Sequence, residues 1–344
     1  MNAKHPLPAV IDDKVYLIAV MEGITALDGK DLSLQLKSEK YKPVKGISVT
    51  PEAIFIENED GKSYLLDKET LEEKKELLDG ICFTKSSTCI NGVCYTLRKM
   101  GEGVIAPTVL AALSCDDWQV LWEFKPRKSI LGFAVTTDQL VLVDHRGSIY
   151  CLDPLSGSVL WDKTVDELGV LSADELEHAG GLKLSDHPHI HNDTVSIAYL
   201  YNYVIGLELR SGDLKWKRKY DDVIPYTTVT DSGLVYVYTP HNQSQCSTIS
   251  VICSNTGSIK SEIQVKNDAN PDERFDGMAF TDVTESHFWT LSYQGTISAI
   301  NLESGVIDWE YEIKDHVTHN PFFISNNRLY VSTKSELSLF ESDA

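Results

Sequence analysis

Short apolar-rich runs, several of them alternating apolar and polar residues at every second position, recur along this chain and are broken by polar turns. A period of two places alternate side chains on opposite faces of an extended strand, so the pattern predicts β-strands rather than helices. One phrase recurs. Gly147 to Trp161 reads GSIYCLDPLSGSVLW, Val204 to Trp216 reads VIGLELRSGDLKW, and Ala299 to Trp309 reads AINLESGVIDW. Each copy joins an alternating strand to an acidic or amide residue, a Ser-Gly turn and a Trp eight residues after the acid.

With Asp153 as anchor, the same frame recurs at Asp28, Asp67, Ser114, Glu208, Cys253 and Asn301, and a truncated copy ends at Glu341. The spacings run from 39 (Asp28 to Asp67) to 55 (Asp153 to Glu208), near the roughly 40–50 residue period of four-stranded propeller blades. About four strands are readable per copy. In the second they are 46–50, 53–58, 62–67 and 71–77, with Asp60-Gly61 as a hairpin turn. In the seventh they are 277–281, 287–292, 296–301 and 306–313. The eighth has strands near 321–324, 328–332 and 336–340 and no fourth. A lone sheet of this kind cannot bury both faces and leaves open edges. The expectation is an all-β β-propeller of four-stranded antiparallel blades. Eight blades are favoured, the last three-stranded or completed by the N-terminus, and seven is the alternative.

The phrases AINLESGVIDW, YCLDPLSGSVLW and GLELRSGDLKW resemble the PQQ-like (quinoprotein-like) β-propeller repeats, and the resemblance runs through nearly the whole chain. It implies that the Trp after the turn docks between neighbouring blades, which assigns Trp122, Trp161, Trp216 and Trp309 a packing role. Leu36, Lys75 and Ser261 stand at that position in the other complete copies. Quinoprotein dehydrogenases of this kind carry calcium and a vicinal Cys-Cys. This chain has no Cys-Cys, so the resemblance implies the fold and no quinone cofactor.

The chain has 344 residues, 42% of them apolar, and reads as a single domain over 1–344 with an acidic insertion at about 162–186. No signal peptide is visible at MNAKHPLP, and the nearly apolar run from Val104 to Leu113 is too short to span a bilayer. Seven scattered cysteines suggest thiols in a reducing, cytoplasmic setting, although Cys89 and Cys94 could bridge a hairpin. The net charge of -20 makes nucleic acid an unfavourable direct partner and a basic protein a favourable one. The basic clusters Lys125–Lys128 and Lys215–Lys219 read as local features of strand ends.

Two segments could carry chemistry. His187, His189 and His191 alternate along one extended stretch, with His178 nearby and His316 and His319 at the corresponding point before the last copy. Imidazoles at that spacing share a face and could bind a transition metal, but no HExxH, CxxC pair or EF-hand pattern accompanies them. The insertion carries Asp166, Glu167, Asp174, Glu175 and Glu177 as candidate partner-binding residues. Ser172 to Glu175 fits a capping box, which predicts a short helix over 173–179.

The function expected from these features is a non-catalytic protein-interaction module without a cofactor. One version is an intracellular inhibitor or immunity protein that neutralises a basic toxin or effector. The alternatives are a scaffold subunit of a larger complex and a metal-using lyase or hydrolase acting through the histidines.

Overall fold

Each alternating run pairs with the run next to it in sequence, always antiparallel, so that every repeat makes its own meandering sheet. The computed structural model describes residues 9–11, 13–19, 23–41, 44–50, 53–58, 60–77, 80–82, 87–101, 107–170, 187–199, 203–220, 226–229, 232–239, 247–265, 278–292, 295–313, 322–325, 328–332 and 337–341.

Blade one comprises β1 (Ala9–Ile11), β2 (Lys14–Ala19), β3 (Gly23–Asp28) and β4 (Leu34–Ser38). Blade two comprises β5 (Val44–Val49), β6 (Ile54–Asn58), β7 (Ser63–Leu66) and β8 (Glu73–Glu76). Blade three has β9 (Ile81–Cys82), β10 (Thr88–Ile90), β11 (Val93–Lys99), β12 (Thr108–Ser114) and β13 (Val120–Phe124). Blade four has β14 (Ile130–Val135), β15 (Leu140–Asp144), β16 (Ser148–Leu152) and β17 (Val159–Thr164). Blade five has β18 (His189–His191), β19 (Thr194–Tyr199), β20 (Tyr203–Glu208) and β21 (Leu214–Lys219). Blade six has β22 (Tyr226–Val229), β23 (Leu234–Thr239), β24 (Thr248–Cys253) and β25 (Ile259–Gln264). Blade seven has β26 (Met278–Val283), β27 (His287–Ser292), β28 (Thr296–Asn301) and β29 (Ile307–Glu312). Blade eight has β30 (Phe322–Ser325), β31 (Arg328–Ser332) and β32 (Leu337–Glu341).

The protein is an all-β, eight-bladed β-propeller. Its blades fall into two compact units, Met1–Lys125 with Ile313–Ala344 and Pro126–Glu312. β1 belongs to blade one, and blade eight has three strands among the described residues. Blade three departs from the simple repeat, because β9 and β10 both pair with β11. The expected helix over 173–179 lies outside the described residues, as do His178, His316, His319, Asp174, Glu175 and Glu177.

The hairpin after the third strand is the same in all seven complete blades. The anchor residue accepts the N–H of the residue four positions on, and donates its own N–H to the carbonyl five positions on, at 2.8–3.0 Å in every copy. The residue four positions on always has positive φ. It is Gly157, Gly212, Gly257 and Gly305 in four copies, and Leu32, Leu71 and Trp118 in the others, at φ of 57°, 58° and 58°. That conformation costs a non-glycine residue about 1–2 kcal/mol. Each hairpin also carries a register shift just before the anchor, for example between Cys151 and Leu152 and between Gly206 and Leu207.

Side chains buried between adjacent blades form the core. Val141, Val143 and Cys151 of blade four pack with Val195, Ile197 and Leu207 of blade five. Phe55 and Leu65 of blade two pack with Cys94, Leu113 and Trp118 of blade three. Each fully buried aliphatic side chain contributes about 1.5–3 kcal/mol through removal from water.

Candidate interaction surface

The turns that build the hairpins also set how one blade meets the next. In blade five the carbonyl of Leu209, the residue after the anchor, accepts the Trp161 indole N–H at 2.9 Å from blade four. In blade six the carbonyl of Ser254 accepts the Trp216 indole N–H at 2.6 Å from blade five. Both indoles lie over the glycine of the receiving turn, where a Cβ on Gly212 or Gly257 would collide with the ring. Blade one lacks a Trp on β4, and the same kind of carbonyl, on Lys68 of blade two, accepts the hydroxyl of Tyr16 from β2 at 3.1 Å. Blade eight lacks a fourth strand among the described residues, and Tyr330 of β31 donates to Gly29 of blade one at 2.6 Å.

The turn position and the strand position trade volume. Leu36 on β4 packs in the cluster that holds Leu71. Lys75 replaces Trp on β8, and there Trp118 itself occupies the turn, edge-on to Phe55 at 5.0 Å, while the Lys75 ammonium donates to the Asp117 carbonyl. Ser261 on β25 faces neither case; Gly305 instead meets the backbone of Gln264 and the side chain of Ile263. Trp122 packs 6.1 Å from Tyr95, and Trp309 packs edge-on to Trp289 at 5.6 Å and stacks with Tyr311.

The histidines point apart. A Cβ on Gly132 of β14 would strike the His187 ring, and one on Gly233, before β23, would strike the His191 ring. His187 therefore lies against blade four and His191 against blade six, while the His191 Nε2 also meets Nδ2 of its chain neighbour Asn192 at 2.8 Å. His189 is half-buried on β18. Among the described residues no three His, Cys, Asp or Glu side chains converge as a metal site.

The described part of the insertion is the end of β17, at 162–164, followed by a single turn. The Thr164 N–H donates to Glu167 Oε2 at 2.9 Å and the Glu167 N–H donates to Thr164 Oγ1 at 3.3 Å, the reciprocal geometry of a capping box. Gly169 ends the turn at φ 62°. Lys217 of β21 donates to the carbonyls of Gly169 and Val170, at 3.1 and 3.2 Å. Val165 and Val170 are buried between blades four and five. Glu167 is thus spent on the turn, and Asp166 is exposed on it. The sequence signal Thr164-x-x-Glu167 was as legible as the one at Ser172.

The basic cluster at Lys215–Lys219 is not at a strand end. It lies along β21, with Lys215 3.1 Å from Asp193 and Lys219 5.5 Å from the Tyr203 ring centroid. On blade four the outer hairpin has a different character. Leu155 is 71% exposed, Val159 47% and Leu160 50%. Trp161 and Lys163 face blade five, where Lys163 reaches Asp213 at 3.4 Å. Leu160 and Asp162 project to the other side, where Asp162 pairs with Arg127 at 2.8 Å. The exposed aliphatic side chains were not foreseen, since periodicity does not say which face of an outermost strand is covered.

Carboxylates with depressed pKa values are turn residues. The Ser156 hydroxyl, then its backbone N–H, lowers Asp153. The Lys74 ammonium, then backbone N–H groups, hold Asp67 at about 2, and Lys215 lowers Asp193. Shifted acids can mark catalytic clefts; these have their causes within hairpins and edge ion pairs.

Residues 107–238 match the family model of the outer membrane protein assembly factor BamB. That matched stretch is similar to PQQ-like propeller repeats. Among solved structures, BamB from Moraxella catarrhalis is 14% identical, with a TM-score of 0.68 over 97% of this chain and 95% of that one. Saccharomyces cerevisiae Sqt1 is 10% identical, with a TM-score of 0.66 over 99% and 95%. A europium-containing methanol dehydrogenase is 12% identical, with a TM-score of 0.62 over 94% and 81%. No curated protein sequence matches. At these identities the likeness is one of fold. A PQQ-like propeller is compatible with a protein-interaction or scaffold role, and one such structure is a dehydrogenase, so function rests on particular side chains. No helix among the described residues is long and apolar enough to cross a membrane.

Proposed function

We propose that this PQQ-like propeller is a non-catalytic protein-interaction module that engages a basic protein through the outer hairpin of blade four. The observation that carries this reading is the exposure of Leu155, Val159 and Leu160 on the hairpin whose last strand holds the exposed carboxylate of Asp162 and leads into that of Asp166. Exposed aliphatic side chains rimmed by charge suit a partner that presents apolar and basic groups together. The net charge of -20 adds long-range attraction for such a partner. In its most specific form the module is a cytoplasmic inhibitor that occupies a basic toxin or effector. A scaffold subunit is the second reading, favoured by the match of residues 107–238 to an assembly factor.

The test is affinity capture with three baits: the wild-type chain, Leu155→Asp/Leu160→Asp, and Leu34→Asp as a control on blade one, where Leu34 is likewise exposed. A basic protein held by the wild type and by the control, and lost from the double variant, supports the docking edge. Equal capture by all three baits sinks it. An inhibitor yields one partner whose activity falls on binding; a scaffold yields several proteins that co-purify together.

A further inference from the structure

Three of the described cysteines gather at one end of blade three, and two of them face each other. β10 and β11 form a two-residue hairpin in which Ile90 pairs with Val93 and Cys89 pairs with Cys94. The turn residues Asn91 and Gly92 have φ of 51° and 77°, the type I′ geometry that fixes register in a two-residue hairpin. In that geometry the pair flanking the turn exchanges hydrogen bonds, so the next pair, Cys89 and Cys94, is a non-hydrogen-bonded one. Such pairs have Cα atoms about 4.5 Å apart with their side chains close together. Disulfides need Cα separations of about 4.4–6.8 Å.

We infer that Cys89 and Cys94 are a thiol–disulfide couple that reacts with small organic disulfides. Both are thiols in the structure, Cys89 half-buried and Cys94 buried. The partial exposure of Cys89 makes it the point of attack, and Cys94 lies behind it in the core cluster with Phe55 and Trp118. The Cys89 thiolate attacks the small disulfide, forms a mixed disulfide and releases one small thiol. Cys94 then attacks Cys89 Sγ, forms the internal S–S bond and displaces the second small thiol. The protein loses two electrons and two protons, and the disulfide takes them up as two thiols. Cys115 is close in the chain's folding, since its N–H donates to the Gly92 carbonyl at 2.8 Å. It is not opposite either partner, because Cys94 faces Leu113 on β12.

The experiment incubates the full-length protein with oxidised glutathione, alkylates the remaining thiols, digests with trypsin and weighs the peptides. Cleavage after Lys85 and Arg98 leaves both cysteines in one peptide. The expected product is that peptide lighter by two hydrogens and unalkylated, restored to the dithiol by a reductant. Cys94→Ser should instead accumulate a stable glutathione adduct at Cys89. A wild-type protein that holds a stable adduct at Cys89, keeps both cysteines alkylated, or links either one to Cys115 overturns the inference. The wild-type measurement decides the matter by itself if the Cys94 variant does not fold.

Discussion

Tyr330 on the second strand of blade eight donates its hydroxyl to the Gly29 carbonyl of blade one at 2.6 Å, across 301 positions of sequence. Tyr16, the third residue of the second strand in blade one, makes the corresponding bond to Lys68. The recurring element at these junctions is therefore the acceptor, the carbonyl that follows the anchor at Asp28, Asp67, Glu208 and Cys253. An indole from a fourth strand or a phenol from a second strand can supply the donor. Gly29 is buried, so removing the phenol leaves a carbonyl without that partner. We predict that Tyr330→Phe lowers unfolding free energy by about 1–3 kcal/mol, and that Tyr16→Phe does the same by a smaller amount, because its bond is longer. Urea denaturation measures both. A Tyr330→Phe midpoint equal to wild type would mean that the bond contributes nothing net.

The exchange of volume between strand and turn predicts a coupling. Gly212→Leu should cost well over the roughly 1–2 kcal/mol of positive-φ strain, because its side chain collides with Trp161. In a Trp161→Leu background, which imitates the Leu36 and Leu71 arrangement of blades one and two, the same change should cost less. A double-mutant cycle should give a favourable coupling of about 1–3 kcal/mol. Strict additivity would show that the two positions do not share space. Trp161→Ala alone should cost less than the roughly 3–5 kcal/mol of a fully buried aromatic, because Trp161 is half-buried.

Burial pushes the Tyr220 phenol up to about 12 from 10.0. An acid with a raised folded-state pKa holds its proton after the unfolded chain has lost it. Its contribution to stability is full below pH 10 and falls as the pH climbs from there toward about 12. The loss amounts to roughly 2–3 kcal/mol at most. Tyr220→Phe should therefore flatten the alkaline limb of a plot of stability against pH. An unchanged slope in the variant would reassign that limb to other groups.

Asp166 and Glu167 are neighbours with different work. Asp162→Lys with Asp166→Lys should slow association with the captured partner, most at low salt, and leave melting almost unchanged. Glu167→Gln keeps the acceptor of the capping box and should be mild, whereas Glu167→Ala should cost about 0.3–1.5 kcal/mol of stability. Stopped-flow association at two salt concentrations, beside melting curves, separates the roles. Association rates that stay the same after the double reversal would move the docking edge elsewhere.

The strands of blade seven at His287–Ser292 and Thr296–Asn301 stand where the sequence pattern puts them, because alternation and turn residues are local signals. The same repetition favours eight blades over seven, and the pairing of β1 within blade one and of β30–β32 in a sheet of their own gives eight. Strand ends shifted by a few residues, as at Glu73–Glu76 inside the expected 71–77, because the positive-φ residue Leu71 still belongs to the turn. Nothing local marks Leu32, Leu71 or Trp118 as left-handed. Leu71 and Trp118 are buried in clusters shared with the neighbouring blade, and that tertiary packing offsets the strain at these two turns. Tertiary contact likewise decided that His187 and His191 turn toward different blades, that Lys217 closes the turn at Gly169, and that Leu155 and Leu160 remain in solvent. Sequence determines which positions alternate and where the chain reverses, since those depend on neighbours along the backbone. Which face of an outer strand is covered, and which donor finds a given carbonyl, depends on residues tens to hundreds of positions away, and those are brought together only by the fold.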